Sequence, residues 1–437
     1  MVISSYPDRN GEPAKLNAVA CYAQNLLKAY KNRKIVVLAE DKDGKGGVYR
    51  EGNVLVVGCW KPVDPLMYVR LINTLRYFGK VKNVLIQFEF NMLGSVILTS
   101  ILPVFMALLR MIGKNITVMQ HQVVDDLAML GGHLNVKKGS LKNTILNFGL
   151  RSFYVGLGMF SNAIIVHEET LKDRLARWVP KDKIFVVSHG LSINGVRGDS
   201  REKIRKSLGI KESDFVLLTF GYIAWYKGVD WLIKKVGEMV KTNPNLKLIV
   251  AGGPSATLQS KAHYRRYLAK VSDLAQKYSK NVIMTGFVPD GDVYKYFRAS
   301  DLSVLPYRAM MSASGPLSFA LKFRKPFVIS KVLKEAYRNP DMQTSFEVSG
   351  TKIEDITFGF GDNSFEKIVK NYSNKSRLQK IKVLSSSLRR LRSWENIVLE
   401  YEKVIWGIPE YSIIGALKRI GSKLPRFSTS FGMERNA

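Results

Sequence analysis

One loop in the second half of the chain combines small hydroxyl side chains with the start of a helical pattern. Between two short apolar runs, which are typical of buried parallel strands, lie Ser312, Ser314, Gly315 and Pro316. Proline at the first helical position loses no hydrogen bond, and the free N–H groups at a helix start attract an anion. The loop therefore predicts a phosphate site, although an ordinary capped strand–loop–helix turn would have the same sequence.

Two earlier loops also follow apolar runs and carry residues suited to a phosphate. Lys227 follows the run Phe215–Phe220 and precedes a helical pattern, where a lysine can act as a point charge on a diphosphate. Gly252 and Gly253 follow the run Leu246–Ala251, and glycines after a strand let the backbone approach a ligand closely. Taken one at a time, a surface lysine and a common glycine turn would explain these residues equally well.

The elements that must position these loops form two alternating series of strands and helices. Short apolar runs alternate with helical patterns from residue 1 to 187 and again from 215 to 330. This alternation predicts an α/β protein with two Rossmann-like, doubly wound domains whose strand C-termini face each other across a cleft. We predict a first domain over residues 1–192, a second over 193–395, and a C-terminal helix with a basic amphipathic tail over 396–437.

A series of segments along the chain carries motifs in a specific order and spacing. They are Val84–Gly94, Thr117–His121, Ser188–Gly190, Leu217–Gly228, Ile249–Pro254, Val282–Val288, Asp301–Pro306, Lys325–Ser330 and Ser393–Glu395. In this order they resemble the retaining GT-B glycosyltransferases of family 4, also called glycosyl transferases group 1. The resemblance extends from about Met1 to Trp406.

The resemblance implies a nucleotide-sugar site in the second domain. The donor-binding residues would be Gly221, Tyr222, Gly252, Gly253, Gly286, Phe287, Val288, Ser312, Ser314, Gly315 and Pro316. Lys227 would stabilise the leaving diphosphate, and His121 would contact the transferred sugar. Candidates for contacts to the acceptor are Lys15, Glu89 and Asp125. The resemblance further implies retention of anomeric configuration without a protein nucleophile, a metal or another cofactor.

The sequence also departs from the family pattern at the donor loop. Most members carry two glutamates eight positions apart, and the corresponding residues here are Met311 and Phe319. The arginine that usually accompanies the lysine falls on Tyr222. Ser314–Gly315 matches a subgroup that also lacks the glutamates, so phosphate binding would depend on Lys227 and the helix start. A non-catalytic GT-B homologue that binds a glycan or protein partner is therefore the alternative.

The net charge of +31 over 437 residues predicts a polyanionic partner. Nucleic acid is not supported, because we find no zinc-ligand spacing, RNP-like strand or helix-turn-helix pattern. A nucleic-acid-binding protein, or a glycosyltransferase that modifies DNA, would still account for the charge. An anionic membrane surface is the partner that we favour, with a UDP- or GDP-hexose as donor and a lipid-linked or polysaccharide acceptor.

Two stretches bear on the relation to a membrane. Phe90–Leu109 carries no charge over nearly the length of a bilayer, but it contains Gly94 and Pro103, so we predict a buried helix instead of a span. Residues 413–426 combine helically spaced apolar residues with lysines and arginines, which favours either a membrane surface or packing on the other domain. Two cysteines and an N-terminus without a signal-peptide pattern predict a cytoplasmic protein, peripheral on the inner membrane face.

Overall fold

The computed structural model shows two α/β domains, each with one twisted sheet between layers of helices. It describes residues 1–7, 18–41, 47–90, 92–127, 139–193, 198–255, 258–259, 261–309 and 315–407. Lys15, Met311, Ser312, Ser314 and the basic tail lie outside the described residues.

The first domain contains an eight-stranded sheet. Its strands are β1 (Val2–Ser4), β2 (Ile35–Glu40), β3 (Val48–Glu51), β4 (Val54–Trp60), β5 (Asn83–Phe88), β6 (Asn115–Gln120), β7 (Ala163–Val166) and β8 (Ile184–Val186). Their order across the sheet is β3-β4-β2-β1-β5-β6-β7-β8, and only the β3–β4 pair is antiparallel among these strands. The described helices of this half are α1 (Ala18–Ala29), α2 (Met67–Arg76), α3 (Val96–Met111), α4 (Leu141–Phe160) and α5 (Glu169–Leu175).

The second domain contains a six-stranded parallel sheet. Its strands are β9 (Phe215–Phe220), β10 (Leu246–Ala251), β11 (Val282–Met284), β12 (Leu302–Leu305), β13 (Phe327–Ser330) and β14 (Thr357–Phe358), in the order β11-β10-β9-β12-β13-β14. The helices after α5 are α6 (Arg201–Ser207), α7 (Val229–Met239), α8 (Ala262–Lys277), α9 (Val293–Ala299), α10 (Gly315–Lys322), α11 (Pro340–Ser349), α12 (Ser364–Tyr372), α13 (Lys375–Leu391) and α14 (Trp394–Trp406). The two parallel sheets confirm the predicted fold class.

The last described helix, α14, returns to the first domain. The backbone N–H of Leu191 donates to the carbonyl oxygen of Arg392 at 2.8 Å, where the chain crosses between the domains. From there α14 packs on the face of the first sheet that α1 also covers, and the hydroxyls of Tyr22 and Tyr401 are 2.9 Å apart. Burial of Trp394 in the same core joins the two halves of the molecule.

Most of the apolar stretch Phe90–Leu109 lies in α3, which begins at Val96 after the N-cap Ser95. Its inner face packs into the core of the first domain, with Leu102 and Phe105 almost fully buried. Its outer face is exposed, so the prediction of a buried helix holds for only one side. Among the residues that the structure describes, no helix combines the length and apolar character needed to cross a bilayer.

Candidate active site

The glycine turns after β9 and β10 lie against each other at the C-terminal edge of the second sheet. The N–H of Gly221 donates to the carbonyl of Ala251, and that of Ile223 donates to the carbonyl of Gly253, both at 2.9 Å. A Cβ atom on Gly252 would lie 2.1 Å from the carbonyl oxygen of Gly221. Only glycine fits there, because any side chain would push the two turns apart.

The turn after β11 joins this group. Gly286 pairs with Gly252 in an isolated bridge, and its φ of +69° is the left-handed conformation that favours glycine. A Cβ on Gly253 would lie 2.9 Å from the backbone nitrogen of Phe287. Val288 is buried, whereas the ring of Phe287 is exposed. The structure therefore brings Gly252, Gly253, Gly286 and Phe287, four of the predicted donor-binding residues, onto neighbouring turns.

Lys227 ends a single 3₁₀ turn directly beside these glycines. The next residue, Gly228, has a φ of +65°, and a Cβ there would lie 2.0 Å from the carbonyl oxygen of Pro306. The Nζ atom of Lys227 lies 2.9 Å, and the ring of Pro316 3.2 Å, from the place that a Cβ on Gly221 would take. The lysine ammonium, the first glycine turn and the first turn of α10 therefore converge on one spot.

The ammonium of Lys227 is half-buried. No carboxylate lies within ion-pairing distance of it in the part of the chain that the structure describes. Burial lowers the pKa of Lys227 to about 8. A desolvated cation of this kind is stabilised when an anion binds beside it.

An ion pair between Arg308 and the buried Asp230 supports the Lys227 turn. Arg308, three residues after β12, donates from its two Nη atoms to the carboxylate of Asp230 at 2.8 and 3.0 Å. Its backbone N–H donates to the carbonyl of Tyr226 at 2.6 Å, and Nη1 also donates to the carbonyl of Trp225 at 2.8 Å. Although burial opposes it, hydrogen bonds from Arg308 and Lys270 lower the pKa of Asp230 to about 2. Arg308 therefore positions the turn and is committed to Asp230 instead of the phosphate site.

The sequence analysis missed Arg308 and Asp230 as a pair. The only local signal was an arginine shortly after a strand end, and its partner lies 78 positions away in the chain.

Phe319 and Tyr222 stand where the resemblance would place a glutamate and an arginine. Phe319, on α10, packs with its ring centroid 5.0 Å from that of Phe220 and 6.3 Å from that of Phe297. An apolar contact with the end of β9 therefore takes the place of a carboxylate. Tyr222 is exposed beside the glycine turns.

On the first-domain side, three imidazoles surround one tyrosine. The ring centroids of His121, His167 and His189 lie 4.9, 5.1 and 5.0 Å from that of Tyr22. We call these four residues the histidine cluster. Three of the five histidines in the chain meet here, although they follow three different strands. The sequence analysis singled out His121 and His189 separately and missed His167 and Tyr22.

His121 is oriented by neighbours at its two ring nitrogens. Its Nε2 lies 2.7 Å from Oε1 of Gln87, and its Nδ1 lies 3.4 Å from Nε2 of His167. His121 is partly exposed, yet burial, followed by the nearby His189, lowers the pKa of His121 to about 3. The imidazole is therefore neutral at pH 7 and suited to hydrogen bonding with hydroxyl groups.

The histidine cluster lies close to the donor side of the cleft. His167 and His189 line one small enclosed cavity together with Leu317 and Ser318 of α10. Next to it, the amide nitrogen of Asn339 donates to the carbonyl of His167 and to Oγ of Ser188, each at 2.8 Å. The C-terminal edges of the two sheets therefore face each other.

A carboxyl group also lines this cavity. Glu168 is buried, and burial raises its pKa to about 7 even though nearby Arg392 and Arg174 oppose the shift. Arg392 is itself buried and paired with Asp341. The junction between the domains thus contains a carboxyl group close to half-protonated at neutral pH.

The three acceptor candidates have separate environments. Glu89 follows β5, and burial raises its pKa. Asp125 has Oδ2 at 3.7 and 3.6 Å from Arg174 and Arg177, which are loose ion pairs. Lys15 is not among the described residues. Within the described ranges, no group of three or more His, Cys, Asp or Glu is placed to hold a metal ion.

Sequence comparison links the second domain to a known family. Residues 200–336 match the family model Glycosyl transferases group 1. D-inositol 3-phosphate glycosyltransferase 1 of Catenulispora acidiphila is 30% identical over 132 residues, covering 29% of this chain and 31% of that protein. Alpha-monoglucosyldiacylglycerol synthase of Streptococcus pneumoniae is 22% identical over 151 residues, covering 33% and 32% of the two chains. The chain thus matches about a third of the length of these curated relatives.

Structural comparison covers nearly the whole chain. Sucrose-phosphate synthase of Thermosynechococcus elongatus superposes with a TM-score of 0.58 at 14% identity, covering 96% of this chain and 98% of that one. Anabaena HepE in complex with UDP superposes with a TM-score of 0.60 at 14% identity, covering 93% and 100%. The chain therefore has the GT-B fold of glycosyltransferases, and its residues 200–336 are similar in sequence to the glycosyl transferases group 1.

Proposed function

We propose that this protein is a retaining hexosyltransferase that moves a hexose from a nucleotide-sugar donor to a lipid-linked or polymeric glycan acceptor. The observation that carries the proposal is the convergence of Lys227, Gly221 and the start of α10 at one spot. A half-buried cation without a carboxylate partner in the described structure is what a diphosphate requires. Anabaena HepE, which shares the fold, was solved with UDP bound, which supports a UDP-sugar as one candidate donor and leaves a GDP-sugar as the other.

The donor would lie across the three glycine turns of the second domain. The backbone groups at Gly252, Gly286 and Phe287 would bind the base and ribose, since glycine carries no side chain at two of these three positions. Tyr222, Val288 and Gly253 complete this surface. The diphosphate would meet Lys227, with the N–H groups of the first turn of α10 beside it.

In the proposed reaction, the bond between the anomeric carbon and the diphosphate oxygen breaks while the acceptor oxygen bonds to the same face of that carbon. Lys227 stabilises the negative charge that develops on the leaving diphosphate. The proton of the acceptor hydroxyl passes to the departing phosphate oxygen, so no protein nucleophile is needed. Neutral His121, held by Gln87, would contact a hydroxyl of the transferred sugar. Neither metal nor organic cofactor enters this proposal.

The acceptor side of the proposal rests on charge and on relatives. Glu89, Asp125 and Lys15 are the candidates for contacts to the acceptor. The net charge of +31 supports a location at an anionic membrane face, on the cytoplasmic side. The similar Streptococcus pneumoniae protein is, by its name, a synthase of a glucosylated diacylglycerol, which supports a lipid-linked acceptor.

A nucleotide panel followed by a turnover assay tests the proposal. Thermal unfolding is measured with UDP, GDP, ADP and their common hexose conjugates, and one nucleotide series should raise the midpoint in a concentration-dependent way. The matching sugar nucleotide is then incubated with lipid extracts, and release of the nucleoside diphosphate should depend on the acceptor. Binding without any turnover would favour the non-catalytic alternative, and no binding at all would refute the donor site.

A further inference from the structure

The outward sides of α3 and α4 expose apolar side chains at helical spacing. On α3 these are Val96, Ile97, Ile101, Val104, Leu108 and Met111, and on α4 they are Leu141, Ile145, Phe148, Val155 and Met159. Ile97, Met111 and Leu141 are 74%, 82% and 76% exposed. Residues three and four positions apart share one side of a helix, so each set forms a continuous stripe. We call the two stripes together the α3–α4 face.

The two stripes belong to one surface. Both helices cover the same side of the first sheet, where Phe105 of α3 and Leu157 of α4 lie in one core. They approach each other closely, because a Cβ on Gly156 would lie 2.7 Å from Pro103. The exposed stripes are therefore additional to the side chains that hold the domain together. Contiguous apolar surface of this extent marks an interaction site in soluble proteins.

Charge decides which partner fits this surface. Neither α3 nor α4 contains aspartate or glutamate, and the exposed charged residues of the two helices are Arg110, Lys142 and Arg151. A second copy of the chain would bring another net charge of +31 against the same face. An anionic bilayer instead offers an apolar interior and a complementary surface charge. We propose that the α3–α4 face docks onto an anionic lipid surface.

The topology gives this docking a direction. Each helix begins at the C-terminal edge of the first sheet, the edge that carries the histidine cluster. The N-cap Ser95 comes seven residues after Phe88, with Glu89 in the connection, so the start of α3 lies beside an acceptor candidate. A bilayer along the α3–α4 face would place the first-domain side of the cleft next to the lipid headgroups. This consequence for the acceptor rests on the proposed function, whereas the docking itself does not.

Vesicle sedimentation of the full chain tests the proposal. The probes are phosphatidylcholine vesicles with and without phosphatidylglycerol, at low salt. The test variant is Ile97→Glu with Phe148→Glu. The matched control is Val348→Glu with Leu399→Glu, which adds the same charge at exposed apolar positions of α11 and α14. Wild type and control should bind the anionic vesicles, and the test variant should bind at least about tenfold more weakly, because two large side chains no longer enter the bilayer.

Three results would overturn the inference. The first is equal binding by the test and control variants, which would assign binding to the C-terminal tail or to charge alone. The second is no binding of the wild type to anionic vesicles. The third is a wild-type dimer in light scattering that the test variant converts to a monomer, which would make a second copy the occupant. Nucleotide-induced stabilisation measured on the same samples reports on the donor site separately, so the two proposals can fail independently.

Discussion

The two sides of the cleft differ in the charge of their buried and half-buried side chains. On the second-domain side, the ammonium of Lys227 has no carboxylate partner among the described residues, and the buried Asp230–Arg308 pair holds its turn. On the first-domain side, burial lowers the pKa of His121 to about 3 and that of His189 to about 4, so these imidazoles are neutral at pH 7. One side therefore carries a half-buried cation, and the other offers neutral imidazoles.

This difference fits the two parts of a nucleotide sugar. A diphosphate carries charge and needs a cation that is poorly solvated before it binds. A sugar carries hydroxyl groups, which neutral imidazole and amide groups recognise without the cost of burying a charge. The contrast between the two sides would be wrong if substitutions that crowd the glycine turns, or that remove the charge of Lys227, had no effect. It would also be wrong if first-domain residues determined the affinity for the nucleotide.

The largest loss of unfolding free energy is expected at Gly252, where the backbones of two glycine turns are in contact. Gly252→Ala should lower the free energy of unfolding by about 3 kcal/mol or more, because the added Cβ would lie 2.1 Å from the carbonyl oxygen of Gly221. Gly286→Ala is the matched control, since no atom lies within 4 Å of its added Cβ and only the φ of +69° is unfavourable, at a cost of about 1–2 kcal/mol. Urea unfolding measures both. Equal losses would show that the close approach of the turns has no special cost.

The next effect concerns the support of the Lys227 turn. Arg308→Met should cost about 2–3 kcal/mol of unfolding free energy, because Asp230 would stay buried with Lys270 as its remaining cationic partner. Nucleotide affinity should fall as well, since Arg308 also binds the carbonyls of Trp225 and Tyr226. As control, Lys295→Met breaks the exposed pair with Asp292 and should leave the unfolding free energy nearly unchanged. A stable Arg308 variant with unchanged affinity would contradict the positioning role.

A smaller effect is expected on the neutral side. Tyr22→Phe removes one of two buried hydroxyls 2.9 Å apart and leaves Tyr401 without that partner, which should cost about 1–2 kcal/mol. The double variant with Tyr401→Phe should recover part of this loss, since both polar groups are then gone. Nucleotide binding should be unchanged in both variants. A nucleotide-binding defect in Tyr22→Phe would break the division between the two sides.

The pH dependence of nucleotide binding sharpens the comparison. Because burial lowers the pKa of Lys227 to about 8, the free protein loses this charge as the pH rises through 8. Affinity for the diphosphate should therefore fall about tenfold between pH 7 and pH 9, one pH unit above the pKa. The histidines titrate far below this window and should add nothing to it. Calorimetric titration of the wild type measures the profile, and an affinity that stays unchanged between pH 7 and pH 9 would contradict the role of Lys227.

The sequence predicted what depends on neighbouring residues. Strands β9 and β10 have the limits expected from their apolar runs, because fully buried parallel strands read as short continuous apolar segments. The glycine turns and the lysine turn follow directly from those strand ends. Each of these turns lies within about ten residues of the end of the strand that precedes it.

The remainder depends on contacts between distant parts of the chain. Arg308 and Asp230 are 78 positions apart, and Tyr22 and Tyr401 are 379 apart, so no local pattern could pair them. The exposed side of α3 was missed for a different reason. A run without charges predicts burial on every side, but the sheet and the neighbouring helices cover only one side.

The most direct test of the account is the substitution Lys227→Met, with Lys234→Met on the exposed side of α7 as control. The pKa of Lys227 is about 8 in the folded protein, against the ordinary 10.5 of the unfolded chain. Between these two values only the unfolded chain keeps the proton, so the free energy of unfolding rises with pH there. At pH 7 the charged lysine therefore destabilises the free protein. Lys227→Met should therefore raise the unfolding free energy without ligand by up to about 3 kcal/mol, because burial lowers the pKa from 10.5 to about 8, and abolish stabilisation by the nucleotide. A less stable variant that binds the nucleotide as the wild type does would contradict the account.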